Sequence, residues 1–332
     1  MKISLLNLAG ACVASLAVYV FIGGFVVDKP VSFGSIEPMF QKKLAYGSSQ
    51  PSPKLIIIAG SNARTSHRCA ELEQLLEQLP CVNGGNTAGL GLSYVFERFD
   101  PIIKSGDVVY LPLEYQQYLT TKAEALTGPD AAILLRHDKT ALARRGPEAV
   151  MRAAFMIDTS YIVDGLTEMA LHAAGLKARF DAKSFDVQGD EIGLTHERGR
   201  QFANFITNSR WKPPTAAAFS DAHGAKEIIT EFVRRCRQKG ARVIGGLPVS
   251  FDDVALPDDL VDSIRKYYES QGAEFLVLPG ESRYPRDHFY DSPFHLDEEM
   301  TIQHTRILAD GLRPMLQQEI ASTAARRAAG KP

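Results

Sequence analysis

The sequence predicts an α/β fold in which a parallel sheet carries helices on both faces. Five short apolar runs recur along the chain, and none alternates between polar and apolar residues, which is typical of strands buried on both sides. Segments with the apolar periodicity of helices separate these runs, and glycine or proline follows each run. The chain has 332 residues and 45% hydrophobic content, enough for a full core. We therefore predict a three-layer, doubly wound parallel sheet.

Composition and cysteine spacing exclude several classes of protein. The net charge is −2 and no long basic run is present, so we expect no nucleic-acid partner. A helix between Cys69 and Cys81 would hold their Cα atoms roughly 15–18 Å apart. A disulfide needs less than about 7 Å, so we expect these two cysteines not to pair. No spacing of residues resembles a metal site, and we expect no cofactor.

The amino terminus predicts a membrane anchor. Residues 3–27 contain no charged side chain, and this run exceeds the roughly 20 residues that cross a bilayer as a helix. We assign residues 1–27 to a single transmembrane helix; a cleaved signal peptide and a lipid-bearing Cys12 are the alternatives. Lysines on both flanks leave the orientation open. Residues 28–53, with four prolines, are predicted as a stalk, and residues 54–332 as the folded domain.

The first strand covers residues 55–59 and stops at Gly60-Ser61. Ser61 therefore lies at the carboxyl end of a parallel strand, where open α/β sheets bind ligands. The alternative is that Ser61 only completes a turn. Thr65 or Ser66 is predicted to cap a helix that runs to residue 79, with His67 and Arg68 facing solvent.

The next two strands end at the same edge of the sheet. Residues 81–85 form the second strand, followed by a glycine-rich loop over 86–92 that suits close approach of the backbone to a ligand or serves as an ordinary turn. A helix is predicted over 94–103 and the third strand over 108–113. Glu114 then arrives at the edge that carries Ser61, which makes it a candidate substrate-binding residue.

An insertion interrupts the α/β alternation at about residues 116–219. Helices are predicted over 130–145 and 147–174, and a hairpin or loop over 185–200. This insertion forms a lid, a partner surface or simply part of the packed core.

The α/β alternation returns after the insertion. We predict a helix from Ser220 or Asp221 to residue 239 and then a strand, a helix and a strand over 241–247, 257–271 and 273–278. A loop over 279–295 precedes a long helix that Pro314 should kink. The five strands predict a flavodoxin-like order.

Serine, histidine and aspartate converge at the predicted sheet edge. In Asp291-Ser292-Pro293-Phe294-His295 the proline favours a turn that folds the carboxylate back toward the imidazole. With Ser61, this pair has the groups of nucleophilic acyl transfer: the histidine takes the hydroxyl proton and the aspartate orients the histidine. The glycine-rich loop and the residue after the nucleophile can supply amide donors for the oxyanion. Asp287-His288 is an alternative acid–base pair.

These blocks resemble the SGNH hydrolase superfamily, and among its branches the membrane-anchored proteins of bacterial exopolysaccharide O-acylation. Gly60-Ser61-Asn62 resembles the first block, without its acidic residue, and Tyr290–His295 resembles the last, with one residue more than Asp-x-x-His. The resemblance implies that Gly85 or Gly89 supplies an oxyanion amide. The third block of the family contributes an asparagine that donates to the oxyanion, but the corresponding residues 111–115 contain no asparagine. Asn62 or Asn86 would replace that donor.

The resemblance also implies a function and a location. It implies a serine esterase or O-acyltransferase acting on a cell-envelope polysaccharide, with a membrane-bound acyl-transfer partner protein, on the periplasmic side of a bacterial inner membrane. A catalytically degenerate scaffold of a polysaccharide-modifying complex is the second hypothesis, because two motif residues are missing. Phosphate or flavin binding at residues 60–65 is the third, although the turn lacks the spacing of a P-loop.

Overall fold

A computed structural model describes residues 5–22, 36–121, 134–135, 138–155, 163, 166–167, 169–171, 173–176 and 184–330. The chain divides into two compact units. The first comprises Met1–Pro38 and Ala123–Ala182, and the second comprises Met39–Lys122 and Lys183–Pro332.

The second unit is built on a five-stranded parallel sheet. The strands of this unit are β1 (Leu55–Ile57), β2 (Cys81–Asn83), β3 (Val108–Leu111), β4 (Arg242–Gly246), β5 (Ser250–Phe251), β6 (Glu274–Leu276) and β7 (Arg283–Tyr284). The main sheet has the order β2-β1-β3-β4-β6, with Leu55 opposite both Cys81 and Val108. This is the predicted flavodoxin-like order. β5 and β7 form a separate parallel pair, which was not predicted.

Helices connect these strands. In chain order the helices of the described residues are α1 (Leu5–Phe21), α2 (Ile36–Ser49), α3 (Ser61–Ser66), α4 (Cys69–Leu75), α5 (Leu92–Phe99), α6 (Tyr115–Tyr118), α7 (Lys139–Arg144), α8 (Pro147–Phe155), α9 (His196–Gly199), α10 (Ala203–Asn208), α11 (Ala216–Asp221), α12 (His223–Gln238), α13 (Asp258–Ser270), α14 (Glu298–Leu312) and α15 (Gln317–Ala328). Short 3₁₀ turns lie at Ala88–Leu90, Asp100–Ile102, Arg200–Phe202, Pro279–Ser282, Arg286–His288 and Arg313–Met315. The last of these separates α14 from α15 at Pro314, where the sequence predicts a kink.

The central strands are buried on both faces, which explains why their sequences are apolar throughout rather than alternating. Every residue of β1, β2 and β3 is buried, so neither face of these strands meets water. At the amino ends of β1 and β3, Lys54 Nζ lies 2.7 Å from Asp107 Oδ2, and both side chains are fully buried. The carboxyl ends of β1 and β3 lead directly into α3 and α6, which carry the candidate site.

Part of the segment predicted as a stalk, from Met39 onward, belongs to the second unit. Phe40 of α2 is fully buried, and its ring lies 5.7 Å from that of Tyr94 and 5.8 Å from that of Phe99. Met39 and Lys43 are also buried, one turn apart on the same face. The prolines that indicated an extended linker lie outside this helix or in its first turn, where proline is tolerated.

The prediction that Cys69 and Cys81 would not pair was wrong. They form a disulfide, with their Cα atoms 5.1 Å apart. The helix that was expected to separate them ends at Leu75. Glu77 and Gln78 then adopt positive φ values of 55° and 70°, which reverse the chain toward β2. A short helix followed by a reversal brings together two residues that a continuous helix would hold apart.

The first unit contains α1, α7 and α8 among its described residues. Asp138 caps α7 by accepting a hydrogen bond from Ala141 N at 2.9 Å. Within the described ranges, no helix has both the length and the apolar character required to cross a membrane. The predicted anchor over 1–27 and the predicted insertion helices extend into residues outside the described ones.

Candidate active site

Ser61 begins helix α3 immediately after the turn that ends β1. Gly60 is the residue before the helix, and a Cβ at that position would require the Glu114 carboxylate to move away. The Ser61 hydroxyl donates to Glu114 Oε1 at 3.1 Å, and Asn62 N donates to the same oxygen at 3.0 Å. Glu114 thus caps a helix that lacks a side-chain cap of its own.

Glu114 is a buried acceptor at the start of α6. Its own backbone N–H donates to Gln117 Oε1 at 2.9 Å, and the Gln116 side chain donates to its second carboxylate oxygen. A carboxylate has no proton to donate to an oxyanion. Its predicted place at the edge of the sheet is confirmed, but its observed role is to hold the hydroxyl of Ser61 and the first turn of α3.

Asp291 and His295 lie together on one loop. His295 Nδ1 lies 2.5 Å from Asp291 Oδ1, and both side chains are less than a fifth exposed. Tyr290 N donates to His295 O at 2.8 Å, and Phe289 and Leu296 form an antiparallel bridge that closes the loop. The aspartate therefore fixes the Nδ1 side of the ring, which leaves Nε2 as the nitrogen that can accept a proton.

Ser66 joins this loop to the helix that Ser61 begins. Its hydroxyl donates to Phe294 O at 3.1 Å and accepts from Leu296 N at 3.2 Å. These are the residues on either side of His295. The sequence predicts Ser66 only as a helix cap, and local patterns do not reveal this contact because the partners are 228 and 230 positions away.

The two candidate acid–base pairs differ in their geometry. No ion pair joins Asp287 to His288 in the part of the chain that the structure describes, whereas Asp291 and His295 are in contact. His288 takes part through its backbone, whose carbonyl accepts from Asp297 N at 2.8 Å. Of the two pairs, Asp291 and His295 are therefore the one whose side chains are in contact.

The glycine-rich loop contacts the turn before Ser61. Asn86 N donates to Gly60 O at 3.1 Å. Gly85 lies so close to the backbone of Arg64 that a Cβ would not fit, and its N–H donates to Asn83 Oδ1 at 2.9 Å. Gly89 lies in the exposed 3₁₀ turn farther along. Gly85 is therefore the residue of this pair that packs against α3.

Asn62 and Asn86 differ in what their side-chain amides do. Asn62 Nδ2 donates to Pro112 O at 2.7 Å, so this group is engaged. Asn86 is fully buried, its Oδ1 accepts from Thr87 N at 3.2 Å, and its Nδ2 has no partner among the described residues. Asn86 thus presents a buried donor beside the turn that carries Ser61.

The prediction that His67 and Arg68 face solvent was wrong. Both are buried, because the chain turns between α3 and α4 and places them under α14. The rings of His67 and His304 lie 5.0 Å apart, and His304 Nδ1 lies 2.8 Å from the Tyr284 hydroxyl. Burial lowers the pKa of His67 to about 4. This pair lies in the core behind the site.

Comparisons with known proteins add little to this geometry. No protein-family model matches the chain, and no curated protein is significantly similar to it. Among solved structures it is similar to the protein YxiM of Bacillus subtilis, with 11% identity and a TM-score of 0.38. That alignment covers 80% of this chain and 57% of the other, so the chain spans little more than half of that protein. A likeness this weak carries no argument about activity. Among the described residues, no cluster of three or more His, Cys, Asp or Glu side chains is arranged to hold a metal ion.

Proposed function

We propose that this protein is a serine esterase or O-acyltransferase of the SGNH type, with Ser61 as nucleophile, His295 as base and Asp291 as the residue that orients it. One observation carries the proposal: Asp291 and His295 are in contact on a loop that Ser66 ties to the helix beginning at Ser61. These contacts support the proposal because they hold the loop that carries His295 against α3, and this chemistry requires a base near the serine at the start of that helix.

The reaction proceeds through an acyl-enzyme. The mechanism requires the Ser61 hydroxyl to leave Glu114 and to donate instead to His295 Nε2. Ser61 Oγ then attacks the carbonyl carbon of the ester as Nε2 takes its proton. The ester C–O bond breaks, and the same proton passes to the leaving alkoxide. Water or an acceptor hydroxyl next attacks the acyl group, giving its proton to His295, which returns it to Ser61 Oγ as the acid or the new ester departs.

The oxyanion of each tetrahedral intermediate needs donors near Ser61. The backbone N–H of Ser61, at the first position of α3, and Asn86 Nδ2 are the donors that this proposal uses. Asn62 serves the fold, because its amide is engaged by Pro112.

The substrate and location remain those implied by the SGNH resemblance. We propose a cell-envelope polysaccharide as substrate, a membrane-bound partner that supplies acyl groups, and a domain on the periplasmic side of a bacterial inner membrane. The Cys69–Cys81 disulfide supports an oxidising compartment, and the uncharged run at 3–27 supports membrane attachment. Fusion of a periplasm-active reporter after residue 332 would test the location, and an inactive fusion would refute it.

A fluorophosphonate probe and a chromogenic acetyl ester test the activity. The probe should label the wild type and spare Ser61→Ala. The values of kcat/KM for His295→Ala and Asp291→Asn should fall by about 10⁴-fold, as loss of the orienting carboxylate does in serine proteases. His288→Ala is the matched control and should retain activity. If His288→Ala were inactive and His295→Ala retained activity, His288 rather than His295 would be the base.

A scaffold without catalytic activity is the second candidate function. The observation that favours it is the hydrogen bond from the Ser61 hydroxyl to Glu114, which occupies the nucleophile in this structure. Complementation of a deletion strain separates the two functions. Full polymer acylation by Ser61→Ala and His295→Ala would establish the scaffold, and loss of acylation by both would establish the enzyme.

A further inference from the structure

Both backbone groups of Gly85 are held by buried side chains. The N–H donates to Asn83 Oδ1 at 2.9 Å, and the carbonyl accepts from Lys43 Nζ at 2.6 Å. Asn83 and Lys43 are both fully buried. Because Gly85 also packs directly on the backbone of α3, its peptide groups have little freedom to move.

Asn83 links this glycine to α3 and to the chain returning from the insertion. Its amide nitrogen donates to Ala63 O at 2.9 Å and to Asp190 Oδ1 at 2.8 Å. Asp190 Oδ2 in turn accepts from Ala70 N at 3.3 Å. The contacts of Asn83 therefore join β2, α3 and the segment around Asp190.

The residue after Gly85 contacts the turn that precedes Ser61. Asn86 N donates to Gly60 O, one residue before Ser61, and Asn86 Nδ2 is the buried donor that the proposed mechanism uses. A shift of the Gly85 peptide would move this amide relative to Ser61. A displacement of about 1 Å can cost about a hundredfold in rate.

Burial of the Lys43 ammonium costs free energy that packing alone does not explain. A buried ammonium loses its hydration, and an apolar side chain of similar length would pack there without that cost. The groups that face it are Arg64 from α3 and Asp186, Asp190 and Glu191 from the returning segment, with the Phe185 ring 5.3 Å away. Burial, and next the charge of Arg64, lowers the pKa of Lys43 to about 7, while the three carboxylates oppose the shift.

We propose that Lys43 is a positioning residue, whose ammonium holds the Gly85 carbonyl and thereby fixes the Asn86 amide beside Ser61. The proposal rests on the proposed catalytic function. Below the pKa of Lys43 the hydrogen bond to Gly85 is charge-assisted, and above it a neutral amine donates a weaker one. Since the folded pKa lies below that of free lysine, the charged form is lost as pH rises through about 7. The value of kcat should therefore fall on the alkaline side, by roughly three- to tenfold.

Three variants test this with a pH profile on the chromogenic ester. Lys43→Met should lower kcat about tenfold or more with KM changed less than about twofold, and should lose the alkaline decline. Lys43→Arg, which stays charged, should also lose that decline. Lys42→Met is the matched control: the neighbouring lysine donates to Phe185 O rather than to Gly85, so kcat and the decline should persist. A wild-type pH profile in Lys43→Met, or a decline at the same pH in Lys43→Arg, would overturn the proposal.

Hydrogen exchange separates this proposal from the catalytic one. Amides of residues 84–91 should exchange faster in Lys43→Met than in the wild type, while those of β3 should not change. This measurement needs no turnover. If the wild type hydrolyses no ester, the proposed function fails while the exchange result still decides whether Lys43 holds the loop. Unchanged exchange at 84–91 would show that it does not.

Discussion

At the scale of single residues, the site depends on which polar groups still have an unused hydrogen-bonding capacity. The Asn62 amide is committed to Pro112 O, and the Glu114 carboxylate accepts from Ser61 and from the first turn of α3. His295 uses only Nδ1, and Asn86 keeps a buried Nδ2 donor without a partner in the described ranges. A buried unsatisfied donor is costly, and its place beside the turn before Ser61 is why we propose Asn86 as an oxyanion donor.

We expect alanine substitution of Asn86 to affect turnover and alanine substitution of Asn62 to affect stability. Asn86→Ala should lower kcat by about 10²–10³-fold with little change in KM, as loss of an oxyanion donor does. Asn62→Ala should instead lower the free energy of unfolding by about 1–3 kcal/mol, because Pro112 O loses its donor, and should leave kcat within about tenfold of the wild type. Kinetics on the chromogenic ester and urea unfolding measure both effects. The opposite pattern would make Asn62 the donor.

At the scale of elements, the strands could be predicted but the start of helix α3 could not. Residues 55–57 are β-branched or apolar throughout, and this composition alone indicates a buried strand. The sequence predicts one helix capped at Thr65 or Ser66 and running to residue 79, whereas the structure has α4 at Cys69–Leu75 and, before it, α3, which begins at Ser61. Its cap is the side chain of Glu114, 52 positions from Asn62, and no local pattern reports such a contact. Asp291 and His295 were found because they are four residues apart within one turn.

Ser66 connects an element to a loop, and its removal should affect both stability and rate. Ser66→Ala leaves Phe294 O without its donor and Leu296 N without its acceptor, which should lower the free energy of unfolding by about 2 kcal/mol. Displacement of His295 should lower kcat roughly 10–100-fold.

The control for Ser66 lies in the same interface. The Thr305 hydroxyl accepts from Arg68 N at 3.1 Å, donates to Thr301 O at 2.7 Å and, among the described residues, makes no hydrogen bond to the His295 loop. Thr305→Val should therefore destabilise the protein without a comparable loss of kcat. Equal kinetic effects of the two variants would mean that Ser66 contributes to packing alone.

At the scale of the whole molecule, distant parts of the chain stabilise one another through contacts that sequence patterns did not indicate. The order of the main sheet followed from the succession of strands and helices. The disulfide, the burial of His67 and the packing of Phe40 did not, because each requires a reversal or a docking that brings together residues from separate elements. These are the features that solution measurements can test.

Reduction of the disulfide should destabilise the protein. Cys69–Cys81 closes a loop of 12 positions, and a crosslink of this length contributes about 3 kcal/mol in the chain-entropy model. Urea unfolding with and without a thiol reductant measures the effect. Cys81→Ser should show the lower stability and no response to reductant, whereas Cys236→Ser, which changes a free buried cysteine, should keep the response. Reductant sensitivity in Cys81→Ser would place the crosslink elsewhere.

The buried histidines should make stability depend on pH. Burial lowers the pKa of His67 to about 4, so the unfolded chain binds more protons than the folded one between about pH 6.5 and 4. Stability is therefore present above pH 6.5 and is lost as the pH falls through this window, by about 2 kcal/mol at pH 5. Unfolding free energies of wild type and His67→Leu across pH 4–8 measure it. An equally steep dependence in His67→Leu would assign it to other groups.

The aromatic contacts of Trp211 give the protein a built-in optical reporter. Trp211 is the single tryptophan of the chain, and its ring lies 5.2 Å from Phe294, the residue before His295, and 5.8 Å from Tyr115, the residue after Glu114. Indole emission responds to the position of such neighbours, so entry of an acyl group that shifts either one should change the fluorescence. In a stopped-flow experiment without any label, the wild type should show a binding phase and a slower acylation phase, and Ser61→Ala the binding phase alone.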